Sequence, residues 1–140
     1  MRLAATYFAF LFALCLWLAP RPAAAGNLNL ELNKMEDGPR GCLATILIGN
    51  HLDRTLDRFR LDLVLFNGKG VIFDRILIDL APVPKGRTTI ASFPLNGASC
   101  AGISRILLKD APGCHAEDND DIDCLSLLEL TTRTSINFGK

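Results

Sequence analysis

From Leu28 onward, apolar and polar residues alternate along most of the chain, with the period of two that is typical of a β-strand buried on one face. Leu28, Leu30 and Leu32 alternate with asparagine and glutamate, for example. Hardly any segment spaces its apolar residues at the helical period of about 3.6 residues. The pattern predicts seven strands, at Leu28–Leu32, Cys42–Ile48, Phe59–Leu65, Val71–Leu80, Arg87–Phe93, Ile103–Lys109 and Cys124–Thr132.

Two turn signals organise these strands. Asn67–Gly70, with the sequence Asn-Gly-Lys-Gly, predicts a tight hairpin between the third and fourth strands, because asparagine and glycine tolerate the positive φ that such turns require. Pro82, Pro84 and Gly86 predict a crossing to the fifth strand, because proline cannot donate a hydrogen bond to a strand ladder. We expect the chain to change sheets at this crossing.

Seven short strands spread over about 105 residues predict an all-β domain, an immunoglobulin-like or fibronectin-type β-sandwich. No internal repeat or low-complexity linker divides residues 26–140, so we expect them to form a single domain with one core. The C-terminal tail is expected to pack Ile136 and Phe138 against that core.

Residues 1–25 have the composition of a cleaved secretory signal peptide. A positively charged start precedes an unbroken apolar run, Leu3–Ala19, and the small residues Ala23–Ala25 suit cleavage before Gly26. The run of 17 residues is shorter than the roughly 20 that a membrane-spanning helix needs. We therefore expect a periplasmic or secreted protein with no membrane span after cleavage; an uncleaved anchor is the alternative.

Cleavage changes the composition of the chain. The mature protein has 13 basic and 15 acidic side chains, and the single tryptophan and single tyrosine, Trp17 and Tyr7, are removed with the leader. A chain with no excess of positive charge and without these stacking side chains is not expected to bind nucleic acid.

Four cysteines remain in the mature chain, an even number that predicts a disulfide framework in an exported protein. In an alternating sandwich, strands two and six run in the same direction on facing sheets, which brings Cys42 close to Cys100. Cys114 and Cys124 then close the turn between strands six and seven. Any other pairing would bridge opposite ends of the sandwich, roughly 20–30 Å apart, whereas a disulfide holds its Cα atoms about 5.5 Å apart.

Metal sites are the competing interpretations. Zinc is disfavoured because the chain has no Cys-x-x-Cys pair and only two histidines, so we expect neither a resident metal nor a cofactor. The acidic segment between the last two cysteines could supply calcium ligands. Because its spacing does not match an EF-hand loop, a solvated hairpin loop is the favoured interpretation. The candidate calcium ligands are Asp118, Asp120, Asp121 and Asp123.

No catalytic motif is recognisable in the sequence. Ser99, Ser104 and Ser126 lack the glycine-framed turn of a hydrolase nucleophile, and neither His51 nor His115 lies in a known partner pattern. The sequence therefore predicts a protein that is not an enzyme.

A candidate interaction face follows from the alternation of strands three and six. If the leucines of strand three point inward, its other residues and those of strand six form an outward surface with an apolar centre and a basic rim. Such a surface is typical of partner-binding patches. Scattered side chains on a solvated sheet, partly covered by the C-terminal tail, are the alternative. The candidate residues are Arg58, Arg60, Val64, Phe66, Arg105, Leu107 and Lys109.

Two family resemblances follow. Leu61–Ile72, Leu80–Pro82 and Lys85–Thr88 resemble the strand, turn, strand and crossing of small sandwich domains akin to the late-embryogenesis-abundant type 2 proteins. This resemblance implies a β-sandwich.

The chain is also similar, over nearly all of residues 28–140, to a family of small exported alphaproteobacterial proteins often labelled as twin-arginine signal or hypothetical periplasmic proteins. The similarity lies in Cys42, Leu61–Phe66, Ser104–Leu108 and Cys124–Leu125. It implies a periplasmic protein of unknown function, and no functional residues come with it.

Together these features predict an exported, non-enzymatic β-sandwich that acts as a protein-interaction or accessory module of the cell envelope, with an unidentified envelope protein as its partner. The alternative is a small-ligand or calcium-binding module that uses the acidic loop, residues 115–123.

Overall fold

The computed structural model describes residues 28–140, which form two β-sheets with a shared hydrophobic core. The all-β class and the sandwich predicted from the alternation are confirmed. The predicted signal peptide, residues 1–25, lies outside the described residues. No helix within residues 28–140 combines the length and the apolar character that a membrane crossing requires.

Nine strands make up the two sheets of the described chain. The strands are β1 (Leu28–Gly38), β2 (Gly41–Asn50), β3 (Leu56–Asn67), β4 (Ile72–Asp79), β5 (Thr88–Asn96), β6 (Ile103–Asp110), β7 (Cys114–Ala116), β8 (Leu128–Thr132) and β9 (Asn137–Gly139). The first sheet has the order β5-β2-β1-β8 and the second has the order β4-β3-β6-β9, with β7 paired to the N-terminal part of β3.

The connections fix where each sheet ends. The chain leaves β4 at the edge of the second sheet and enters β5 at the edge of the first, so the predicted change of sheet between these strands is confirmed. Adjacent strands are antiparallel, except that β8 runs parallel to β1 and β9 runs parallel to β6. The C-terminal segment therefore adds one strand to each sheet.

The predicted alternation defines the core. Leu28, Leu30 and Leu32 of β1 are at most 1% exposed, and the inward residues of β3, from Phe59 to Leu65, are at most 2% exposed. Each such side chain contributes roughly 1.5–3 kcal/mol when it leaves water. Ile136 and Phe138 are buried as well, so the predicted packing of the C-terminal tail is confirmed.

The predicted seventh strand, Cys124–Thr132, is wrong in its first half. Cys124–Leu127 forms a single helical turn, α1, and β8 begins only at Leu128. Asp123 caps this turn by accepting a hydrogen bond from the Ser126 amide at 3.3 Å. A short apolar run does not distinguish one helical turn from a strand, which is why the alternation missed it.

The number of strands also differs from the predicted seven. The two additional strands, β7 and β9, have three residues each and are too short to show a period. An immunoglobulin- or fibronectin-type strand order stays a prediction.

Both disulfides have the predicted pairing. Cys42–Cys100 holds its Cα atoms 4.8 Å apart, and Cys114–Cys124 holds its Cα atoms 6.1 Å apart. The first bridge links β2 of one sheet to the 3-10 turn (Cys100–Gly102) that precedes β6 of the other. It is positioned by backbone donors, since Cys42 N donates to the Ala98 carbonyl at 2.7 Å and Cys100 N donates to Asp37 Oδ1 at 2.7 Å.

Candidate functional site

The solvent side of the second sheet brings most of the predicted interaction residues together. Phe66 is paired with Arg105, and Val64 with Leu107, across the β3–β6 ladder. The β3–β4 ladder adds a third strand that the prediction did not include. We call this surface the outer face; it consists of Arg60, Asp62, Val64 and Phe66 of β3, Ile72, Arg75, Leu77 and Asp79 of β4, and Arg105, Leu107 and Lys109 of β6.

Arg58 is not part of the outer face. It is paired with His115 of β7, beyond the stretch of β3 that is paired with β4 and β6. The prediction extended one alternation along the whole of strand three, whereas β3 changes its neighbours along its length.

Val64 was predicted to be exposed at the centre of the patch, and this is wrong, since its side chain is only 6% exposed. It lies on a central strand with Arg75 opposite on one side and Leu107 opposite on the other. Longer side chains on the flanking strands cover a short β-branched side chain between them. The Val64 side chain therefore packs beneath the exposed side chains of the outer face.

Asp62, which the prediction left out, is the buried charge of the outer face. It is 4% exposed and accepts hydrogen bonds from Arg75 Nε at 2.7 Å and Arg75 Nη2 at 2.5 Å. Lys109 Nζ lies 3.5 Å from Asp62 Oδ2, the oxygen that also accepts from Arg75 Nη2. The hydrogen bonds from Arg75, with the charges of Arg75 and Lys109, hold the pKa of Asp62 below its usual value despite burial.

Sequence signals for this cluster exist but are incomplete. An acidic residue at an outward position of a central strand is unusual enough to suggest a partner. Its partner Arg75 lies on β4, and the β3–β4 register contains an irregularity between Leu65 and Phe66 that the sequence does not reveal.

Arg105 and Phe66 form the second feature of the outer face. The Arg105 guanidinium lies 5.3 Å from the centre of the Phe66 ring, within the range of a cation–π contact. The other cations of the outer face have carboxylate partners. Arg60 is paired with Asp79 at 3.3 Å, and Arg75 and Lys109 are both paired with Asp62. Within residues 28–140, Arg105 has no carboxylate partner.

Exposed apolar side chains are concentrated at β4, the edge strand of the second sheet. Of the five large hydrophobic residues most exposed within the described chain, four lie between residues 71 and 77. They are Val71 at 56%, Ile72 at 58%, Phe73 at 40% and Leu77 at 58%. The prediction treated this run as an ordinary strand after a hairpin; its exposure follows from its place at a sheet edge.

The four predicted calcium ligands of the acidic loop each lie beside a protein group. Arg54 Nη1 lies 3.2 Å from Asp118 and 3.1 Å from Asp120. His115 Nδ1 lies 2.7 Å from Asp121, and the side chain of Asp123 caps α1. The four candidate calcium ligands thus serve three different partners and do not converge on one point.

One other group of potential metal ligands is present within residues 28–140. It combines Asp37 with Cys42 and Cys100, whose sulfurs are joined in the first disulfide. A sulfur in a disulfide is not a thiolate, and the thiolate is the form that binds a metal.

Both histidines line shallow depressions. His51 lies with Asn29, Glu31 and Thr88 around one of about 310 Å³, and its Nε2 is 3.4 Å from Asn29 Nδ2. His115 borders another of about 340 Å³. Within the described part of the chain, neither depression is lined by a serine or a cysteine that a histidine could activate.

No family model, curated protein or solved structure matches the chain.

Proposed function

We propose that this protein is an exported, non-enzymatic β-sandwich that works by protein contact, as an interaction or accessory module of the cell envelope. The two disulfides support an oxidising compartment, where such bridges form and persist. The partner is an envelope protein that docks on the outer face.

The observation that carries this proposal is the clustering of exposed apolar side chains at the outer face and its β4 edge. Ile72 and Leu77 are each 58% exposed there, beside Val71 and Phe73. Large exposed hydrophobic side chains that occur singly need no explanation, whereas several that adjoin one another mark a contact surface. The aromatic ring of Phe66 and the guanidinium of Arg105 add the two residue classes that are enriched in interfaces.

The charges of the outer face indicate the chemistry of the partner. Arg60, Arg75 and Lys109 each have a carboxylate partner within the chain, Asp79 or Asp62. Arg105 is the cation that is left to attract a carboxylate of another protein. We therefore expect a docking segment that places apolar side chains over Leu107 and Ile72 and an aspartate or glutamate beside Arg105.

Photo-crosslinking in the native envelope tests this proposal. A photoreactive residue at Ser104, which is exposed beside Arg105, should give a discrete crosslinked species that disappears in Arg105→Glu and Leu107→Lys variants. Ile90→Lys is the matched control, because Ile90 is 71% exposed on β5 of the opposite sheet and its change should leave the species intact.

Two outcomes would contradict docking on the outer face: a crosslinked species that persists in both outer-face variants, or no species in a strain that exports the protein at its normal level. Thermal unfolding of the purified variants shows that the substitutions leave the fold intact. A crosslinked species equally sensitive to Ile90→Lys would place the contact elsewhere.

A further inference from the structure

The free edge of β4 presents a pattern that is complementary to itself. We propose that a second copy of this chain docks there, with its own β4 antiparallel to the first, so that the two second sheets join into one. This inference goes beyond the proposed function, because the envelope partner docks on the part of the outer face around Leu107 and Arg105, whereas the second copy pairs with the backbone edge of β4.

Alternate backbone groups of β4 point away from the sheet. Leu80 N donates to the Phe59 carbonyl at 2.8 Å, so the backbone groups of Leu80 point toward β3. Because these groups alternate in direction along a strand, those of Arg75, Leu77 and Asp79 point away from β3. Within residues 28–140 no strand is paired with that side of β4. An edge of this kind is a template for another strand unless it is blocked.

Charge complementarity between the two β4 strands fixes their register. When Leu77 lies opposite Leu77 of the second copy, each Arg75 lies opposite an Asp79. The side chains of all three residues are on the outer face, where opposite charges on directly paired residues stabilise a sheet. Shifting the second copy by two residues places a charge opposite Leu77, and shifting it by four places like charges opposite each other.

The existing ion pairs extend across this junction. Within one copy, Lys109 and Arg75 contact Asp62, and Arg60 contacts Asp79. Arg75 uses Nε and Nη2 for Asp62, which leaves Nη1 to reach Asp79 of the second copy. The result is a row of alternating charges from Lys109 of one copy to Arg60 of the other.

The inner side of β4 fits the same register. Ile76 and Ile78 point toward the core and are only half-buried, and in this register each lies opposite the other in the second copy. Within one copy, the Arg75 amide donates to Asp74 Oδ1 at 2.8 Å. On pairing, this amide would donate instead to the backbone carbonyl of Asp79, the opposite residue in the second copy.

Sedimentation of the exported protein, purified with its disulfides intact, tests the association. We expect a monomer–dimer equilibrium between micromolar and near-millimolar concentration. Leu77→Lys places two ammonium groups opposite each other and should raise the dissociation constant at least about tenfold. Ile90→Lys, which places a lysine on the edge strand of the other sheet, should leave the dissociation constant unchanged. A protein that stays monomeric throughout, or equal dissociation constants for both variants, would overturn the proposal.

A cysteine crosslink tests the register. In a Leu77→Cys variant the two new thiols face each other at a Cα separation of about 5.5 Å, which suits a disulfide, so oxidation should link the copies. In Asp79→Cys the two thiols are offset by four residues, about 13 Å, and should not link. Efficient linking through residue 79, or none through residue 77, would show that the copies do not pair in this way. Neither result bears on the crosslink at Ser104, so the two proposals can fail separately.

Discussion

Asp62 is a buried carboxylate on the side of a sheet that faces solvent. Its burial comes from the side chains that cover it, chiefly those of Arg75 and Lys109, which donate to it or lie close to it. A buried charge is tolerated only where hydrogen bonds replace its water. The cluster therefore organises the outer face, because it fixes the position of two cations that would otherwise be mobile in solvent.

Substitution Asp62→Asn tests this cluster. The pKa of Asp62 is lower in the folded protein than in the unfolded chain, so the carboxylate stabilises the fold above the unfolded value of about 3.9, and this contribution is lost as the pH falls through the folded value. We expect urea unfolding to show a loss of about 1–2 kcal/mol near pH 7, since the cations are partly exposed. The difference from the wild type should shrink as the pH is lowered below 4.

The matched control for this prediction is Asp57→Asn, an exposed aspartate on the same strand, which should change the free energy of unfolding by less than about 0.5 kcal/mol. A loss at Asp62 that does not depend on pH would show that packing and not charge is responsible.

Gly41 is required where β2 begins. Its φ is +117°, and a Cβ at this position would lie 2.4 Å from the Leu95 carbonyl oxygen of β5. The next residue, Cys42, forms the first disulfide with Cys100. We expect Gly41→Ala to lower the free energy of unfolding by about 2–3 kcal/mol, measured by urea denaturation.

Gly68→Ala is the control for this prediction, because a Cβ at Gly68 would have no atom within 4 Å. Equal losses in the two variants would mean that the contact with β5 does not determine the effect, since the entropy change that Gly→Ala causes in the unfolded chain is by itself stabilising.

At the scale of elements, alternation predicted the strands that carry the core and failed where elements are short. Strands β1 to β6 each have eight residues or more, enough to show the period of two. The three-residue strands and the turn α1 are determined by pairing and by the second disulfide, and such tertiary causes leave no period in the sequence.

The sequence likewise predicted only part of the candidate site. Alternation correctly placed Phe66, Arg105 and Leu107 on one face of the sheet. It could not show that Val64 is covered, or that Arg75 reaches Asp62, because both depend on how β4 is aligned with β3. The register between two strands is known only once their pairing is known.

The two disulfides differ in the length of chain that they close. Cys42–Cys100 spans 58 residues and Cys114–Cys124 spans 10. In the chain-entropy model these loops correspond to about 4 and about 3 kcal/mol of stabilisation. We expect paired Cys→Ser substitution of the longer bridge to cause the larger loss in urea unfolding. The opposite order would show that the short bridge acts through the folded structure, by holding β7 against α1.

At the scale of the whole molecule, both bridges connect the two sheets. Cys42 belongs to the first sheet and Cys100 precedes β6 of the second, whereas Cys114 lies on β7 beside β3 and Cys124 precedes β8. Since the net stability of a domain of this size is about 5–15 kcal/mol, the pair of bridges is a large part of it. Disulfides form and persist in oxidising compartments, which agrees with the exported, envelope-associated role proposed above.

A peptide map of the protein purified from its native cell envelope, made without reduction, measures export and bridging together. We predict an N-terminal peptide that begins at Gly26, linked peptides that contain Cys42 with Cys100 and Cys114 with Cys124, and no free thiol at these positions. A chain that retains residues 1–25 with its cysteines reduced, or bridges in another pairing, would contradict the exported sandwich and the envelope function proposed for it.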